Sequence, residues 1–238
     1  RHLPAERPFK VDWAGHADLV EGPDGQYYGV FLAIRPNEEN RVNTGRETFI
    51  LPVDWSGTFP VFKGGLEPIQ PKLAMPQGAK NETGKNGYFP NGNFTFTETF
   101  TGSSLDYRWV GVRGAREGFI STTAEGLTIT PYETNIKAAL PTSTLFYRQQ
   151  HLNFTATTTL KYIPRTEKDL AGITCYQSEK FNYVFGVTKK AEDSYIVLQR
   201  TEKGESSTIA SEKIEGNTPI SLRVTAEGDK YTFSYSIK

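Results

Sequence analysis

Gly172-Ile173-Thr174-Cys175-Tyr176, Tyr183-Val184-Phe185-Gly186-Val187 and Tyr195-Ile196-Val197-Leu198 follow one another with polar, turn-forming residues between them. Each run is short and rich in β-branched and aromatic residues. None carries a helical period, so each reads as a strand. Ser221-Leu222-Arg223-Val224 and Tyr231-Thr232-Phe233-Ser234-Tyr235 repeat the pattern, with Glu215-Gly216-Asn217 and Glu227-Gly228-Asp229 as turns. Upstream, Phe94-Thr95-Phe96-Thr97 alternates strictly, and Leu127-Thr128-Ile129-Thr130 follows. Regular short strands with such turns predict an all-β chain, with a β-sandwich over 93–238. Alternation points Phe94, Phe96, Ile129, Tyr183, Phe185, Ile196, Leu198, Leu222 and Phe233 inward.

Outward from the sandwich, 66–92 carries Pro68, Pro71, Pro76 and Pro90 among several glycines and shows no apolar period. It reads as a linker lying over a surface. Before it, 1–65 contains Tyr27 through Ile34, a continuous apolar run after the turn signal Asp24-Gly25, and the strand Glu47 to Val53. So few strands cannot close a core of their own, and Trp13, Tyr28, Phe31, Phe49 and Trp55 need a partner surface.

The 238 residues hold 27 basic and 27 acidic side chains, a formal net charge of zero. A neutral chain has no global field for nucleic acid or an anionic membrane, so neither is expected as a partner. No segment has the apolar length of a membrane helix. The single Cys175 excludes an internal disulfide and a cysteine zinc cluster, and reads as a buried inert thiol. Aromatics make up 13% of the residues, which either fills a core or supplies stacking faces for sugar rings. The compartment is undecided: periplasmic or secreted is the expectation, with the cytoplasm as the alternative.

Chemistry-bearing motifs are sparse. No phosphate-binding glycine loop, zinc-protease helix or nucleophile elbow is present. His151 has no second histidine at a ligand spacing, His2 stands at the chain start, and nothing supports a Ser/His/Asp triad. Asp12 and Asp18 carry no acid–base signature. Gly15-His16-Ala17-Asp18 lets His16 approach a metal, a water or a sugar, or leaves it bonded within a core. Arg46, in Asn43-Thr44-Gly45-Arg46-Glu47, opens a strand; it holds a ligand or pairs with Glu47 or Asp18 at a rim.

Gly15 to Glu21, Gly25 to Phe31, Asn43-Thr44-Gly45-Arg46-Glu47-Thr48-Phe49 and Pro52-Val53-Asp54-Trp55 together resemble the last part of the catalytic propeller of glycoside hydrolase family 43. That family holds β-xylosidases and α-L-arabinofuranosidases. Leu145-Phe146-Tyr147-Arg148-Gln149-Gln150-His151-Leu152-Asn153-Phe154-Thr155-Ala156 resembles its appended concanavalin A-like jelly roll. The resemblance implies a fragment of a five-bladed β-propeller over 1–65, a linker over 66–92 and the sandwich over 93–238. It implies an inverting glycosidase acting on xylo- or arabino-oligosaccharides, with its acid and base roughly 6.5–9.5 Å apart. Those carboxylates precede this segment in the family, and none of Asp12, Asp18, Glu21 or Glu47 matches them. No catalytic residue is therefore expected in this chain. His16 corresponds to the hub histidine beside calcium or water, and Arg46 to an arginine that reaches the sugar. No cofactor is required, and calcium is the one ion implied. The missing propeller blades become a partner, and further strands are expected after Lys238. A different class of function, an independent carbohydrate-binding module, would need exposed coplanar aromatics among Tyr107, Trp109, Tyr132, Phe146 and Tyr147.

Overall fold

The computed structural model describes residues 10–37, 39–62, 67–70, 72–80, 84, 87–89, 92–215 and 219–237. His2 and the Gly216-Asn217 turn lie outside them. The chain forms two compact units, one of 1–96 with 150–152, the other of 97–149 with 153–238.

In the first unit, β1 (Asp12–Glu21), β2 (Tyr27–Ile34), β3 (Glu47–Asp54) and β4 (Val61–Phe62) form one four-stranded sheet in sequential order. Each neighbouring pair is antiparallel. A four-stranded meander is the unit from which propeller blades are built. Val11, Phe31, Ala33 and Ile69 are buried together, with Phe49, Leu51 and Phe62 packed on them. The described residues of 66–92 contain no strand, yet Ile69 belongs to this cluster.

The second unit is the sandwich. One sheet has the order β10 (Leu170–Ser178), β11 (Phe181–Lys190), β12 (Asp193–Glu202), β13 (Glu205–Ile214). The other has the order β15 (Lys230–Ile237), β14 (Ile220–Glu227), β9 (Asn153–Leu160). Two ribbons complete it: β5 (Trp109–Gly111) with β8 (Leu145–Tyr147), and β6 (Ile120–Thr123) with β7 (Gly126–Ile129). Phe185, Val187, Ile196 and Ile214 from one sheet meet Ile220 and Leu222 from the other. Leu160, Ile173, Leu198, Phe233 and Tyr235 pack around them. Apolar faces of two sheets closing on one core make a sandwich.

The expected strands at 172–176, 183–187, 195–198, 221–224 and 231–235 all lie inside these elements. Three expectations differ. Phe94-Thr95-Phe96-Thr97 is not a strand; the Phe94 ring stacks on Phe89 at 4.9 Å and meets His151 edge-on at 5.2 Å. Its alternation reflects aromatic contacts, not a pleated ladder. Phe96 and Ile129 are exposed, at 41% and 42%. Ile129 ends a two-stranded ribbon, which offers no second sheet to cover it.

Candidate functional site

The two residues marked out by the sequence, His16 and Arg46, both stand on the four-stranded sheet. β1 is bent twice. Asp12 pairs with Ile34, Gly15 with Leu32 and Asp18 with Val30, so three residues of β1 twice span two of β2. Each bulge holds a non-glycine residue at positive φ, Trp13 at 54° and His16 at 52°. For a bulky side chain this is a rare backbone state, costing on the order of 1–3 kcal/mol, and it re-aims the residue that adopts it. His16 is exposed and its side chain makes no hydrogen bond among the described residues, so the bonded-core alternative does not hold.

Arg46 follows Gly45, whose φ of +71° only glycine adopts without strain, and directly precedes β3. The loop that delivers it is organised by Asn37. Its side-chain oxygen accepts from the Glu39 and Arg41 N–H groups at 3.0 and 2.8 Å, and its own N–H donates to the Arg41 carbonyl at 2.9 Å. The Arg46 side chain is exposed. The expected rim pair with Glu47 does not form, because Glu47 is taken by Arg35. Arg35 Nε and Nη2 donate to Glu47 Oε1 and Oε2 at 2.8 Å each, and the Thr44 hydroxyl donates to Oε1 at 2.9 Å. This fork locks the β2 end to the β3 start and leaves Arg46 among the described residues without an ion pair. Sequence reading missed Arg35. The available signal was an Arg ending one strand and a Glu opening its antiparallel neighbour.

Because β1, β2 and β3 are consecutive neighbours, His16 and Arg46 share one sheet. Two strand spacings and a short offset along the strands put their Cα atoms roughly 10–15 Å apart. A long guanidinium and an imidazole at that separation can address opposite edges of one sugar. Calcium, by contrast, takes six to eight oxygens. Among the described residues no group of three His, Cys, Asp or Glu side chains could hold a metal. His16 alone does not build such a site.

The far end of the same sheet carries a feature that sequence reading did not single out. Gly25, Gln26, Tyr27, Val53, Asp54 and Trp55 line a shallow, open depression. Tyr27 and Trp55 form its corner, with ring centres 5.7 Å apart and planes at 67°. Both rings are close to half exposed.

In the sandwich, the five aromatics proposed as a stacking platform do not form one. Trp109 meets Tyr147 edge-on at 5.3 Å, and Phe146 is tilted against Tyr176 at 5.2 Å. Tyr132 is edge-on to Phe119. Only Tyr107, 77% exposed, stands clear. Cys175 is mostly buried, and burial pushes its thiol up to about 11, so it is inert near neutral pH.

Residues 97–238 match the family described as the β-xylosidase C-terminal concanavalin A-like domain. The chain belongs to that family. The structure of a family 43 glycoside hydrolase retrieved from a capybara gut metagenome is 48% identical, with a TM-score of 0.89, over 100% of this chain and 45% of that one. A non-reducing end α-L-arabinofuranosidase of Bacteroides ovatus is 26% identical over 96% of this chain. A xylosidase/arabinosidase of Butyrivibrio fibrisolvens is 29% identical over 88%. The chain spans 42% and 40% of the length of these two curated relatives. The concanavalin A-like domain thus accounts for the second unit. The likeness to the gut-metagenome enzyme extends over the four-stranded sheet as well.

Proposed function

We propose that this chain is the C-terminal portion of a glycosidase that acts on xylan or arabinoxylan oligosaccharides, as a β-xylosidase or an α-L-arabinofuranosidase. The observation that carries this reading is the family match of 97–238 together with 48% identity to a family 43 enzyme across the whole chain. In the parent enzyme the upstream blades supply the acid and base. Arg46 and His16 contact the sugar, and the sandwich supports the propeller and its pocket. Arg46 presents five donors and a permanent charge, suited to substrate hydroxyls or to keeping a carboxylate ionised. The Arg35–Glu47 fork supports this role, since it removes the nearest competitor for that guanidinium. The edge-on packing of Trp109 with Tyr147 argues against an independent sugar-binding sandwich.

The test is Arg46→Ala in the full-length parent. Loss of a charge-assisted hydrogen bond costs about 1.5–3 kcal/mol. Turnover of aryl xylosides and arabinosides should fall roughly 10- to 100-fold, with the melting temperature retained. Arg46→Lys should rescue only in part, because an ammonium lacks the planar fork. Unchanged turnover with a lowered melting temperature would show that Arg46 is structural.

A further inference from the structure

We propose that the described residues between 84 and 96 form a latched strap, held shut by Gln150 and His151. The run from Leu145 to Ala156, which the sugar chemistry leaves unused, thereby gains a role as the catch of a conformational device. The device lies inside the first unit and does not rest on the proposed function.

Composition predicts a loose spacer here, with four prolines and several glycines across 66–92. The described residues of its second half are tied instead. Gly84 N–H donates to the Tyr88 carbonyl at 2.6 Å, and Gly87 N–H to the Gly84 carbonyl at 3.1 Å. The Phe89 and Phe94 rings then stack, with centres 4.9 Å apart and planes at 14°. Phe96 tilts against Phe94 at 6.1 Å. Aromatic pairs at such separations attract beyond the area they bury.

The catch comes from the connection between β8 and β9. Residues 150–152 belong to the first unit, whereas 149 and 153 belong to the second. Gln150 Nε2 donates to the Phe89 carbonyl at 2.8 Å. His151 Nε2 lies 2.8 Å from the Gly92 carbonyl oxygen, which can only accept, so Nε2 carries the hydrogen and donates it. The His151 ring also meets Phe94 edge-on at 5.2 Å. Two adjacent side chains thus hold two strap carbonyls three residues apart, and one of them closes on the central ring of the aromatic stack.

Tyr88 and Phe96 remain 48% and 41% exposed. Their resistance to a protease depends on a held backbone, not on burial. Such a segment must open locally before it is cut, and the cutting rate tracks the open population. Release of the latch is therefore read separately from unfolding of the sandwich.

The experiment digests this 238-residue chain with chymotrypsin and follows the fragments by mass spectrometry. Tyr88, Phe94 and Phe96 are the cleavable strap sites, since Pro90 blocks the bond after Phe89. Phe185, buried on β11, reports on the sandwich. Gln150→Ala combined with His151→Ala should speed strap cleavage at least tenfold over the unaltered chain, with Phe185 uncut and the melting temperature retained. His151→Phe keeps a ring against Phe94 and loses the bond to Gly92, so its rate should fall between the two. Tyr231→Phe removes the hydroxyl that donates to Gln149 Oε1 at 2.9 Å, next to the catch but outside it, and should leave strap cleavage at the parent rate. Strap cleavage in the unaltered chain as fast as in the double variant overturns the latch. An equal rise at Phe185, or a Tyr231→Phe rate that matches the double variant, also overturns it, since either makes these side chains part of the general fold.

Discussion

Single side chains decide more here than composition suggests. Asp169 gathers the segment before β10. Its Oδ2 accepts from the Arg165 and Thr166 N–H groups and the Tyr162 hydroxyl, and its Oδ1 from the Thr166 hydroxyl at 2.7 Å. The Arg165 N–H bond, then the Thr166 hydroxyl, lower its pKa from the usual 3.8 to about 2. A depressed carboxylate stabilises the fold above its unfolded pKa, and that stability is lost as pH falls from 3.8 towards 2. Asp169→Asn should therefore be less stable than the parent at pH 7, by about 1–2 kcal/mol once partial exposure is discounted. The difference should vanish near pH 2, as urea melts at several pH values would show. A constant deficit at every pH would mean that the loss is one of packing. Arg46 and Arg35 carry a related lesson. Sequence shows that an arginine must find a partner; it does not show which of two arginines takes the one glutamate.

At the scale of elements, the strands divide by how much each buries. β11, β12, β14 and β15 were legible because apolar residues alternate or run together. β13 was not: nine of its ten residues are exposed, and as the outer strand of its sheet it carries a polar sequence. β9 was missed for the same reason, since Asn153-Phe154-Thr155-Ala156-Thr157-Thr158-Thr159 shows little hydrophobic period. The β12–β13 turn closes in two residues, Lys203 at φ 54° and Gly204 at φ 89°, the mirror-image turn whose twist suits a hairpin. Gly172 and Gly186 face each other across β10 and β11. A methyl group on Gly172 would lie 2.1 Å from the Phe185 carbonyl oxygen, and one on Gly186 would lie 2.2 Å from that of Ala171. Both obstacles are backbone, which cannot swing aside. Gly172→Ala should cost about 1–3 kcal/mol as an overpacked site and lower the melting temperature by roughly 3–10 °C. Gly15→Ala, where nothing lies within 4 Å, is the control. Equal melting of the two variants would refute the close approach.

For the molecule as a whole, purified chain of these 238 residues should not hydrolyse aryl xylosides or arabinosides, because it spans only 45% of the family 43 enzyme it resembles and the resemblance implies that the acid and base lie in the part before it. Turnover that a carboxylate substitution within the chain abolishes would overturn this expectation. The β class, the sandwich and its principal inward residues Phe185, Ile196 and Leu222 were readable from the residues alone. Period-two alternation is a local property, and burying one face of a sheet needs no knowledge of what lies opposite. The family resemblance was readable too, since it rests on ordered motifs. Tertiary structure decided the rest. The claim of Arg35 on Glu47, the double bulge that turns His16 outward, and the corner of Tyr27 with Trp55 all join residues distant in sequence. Each depends on strand register, which is set by the summed packing of whole strands and leaves no mark on the individual side chains it brings together.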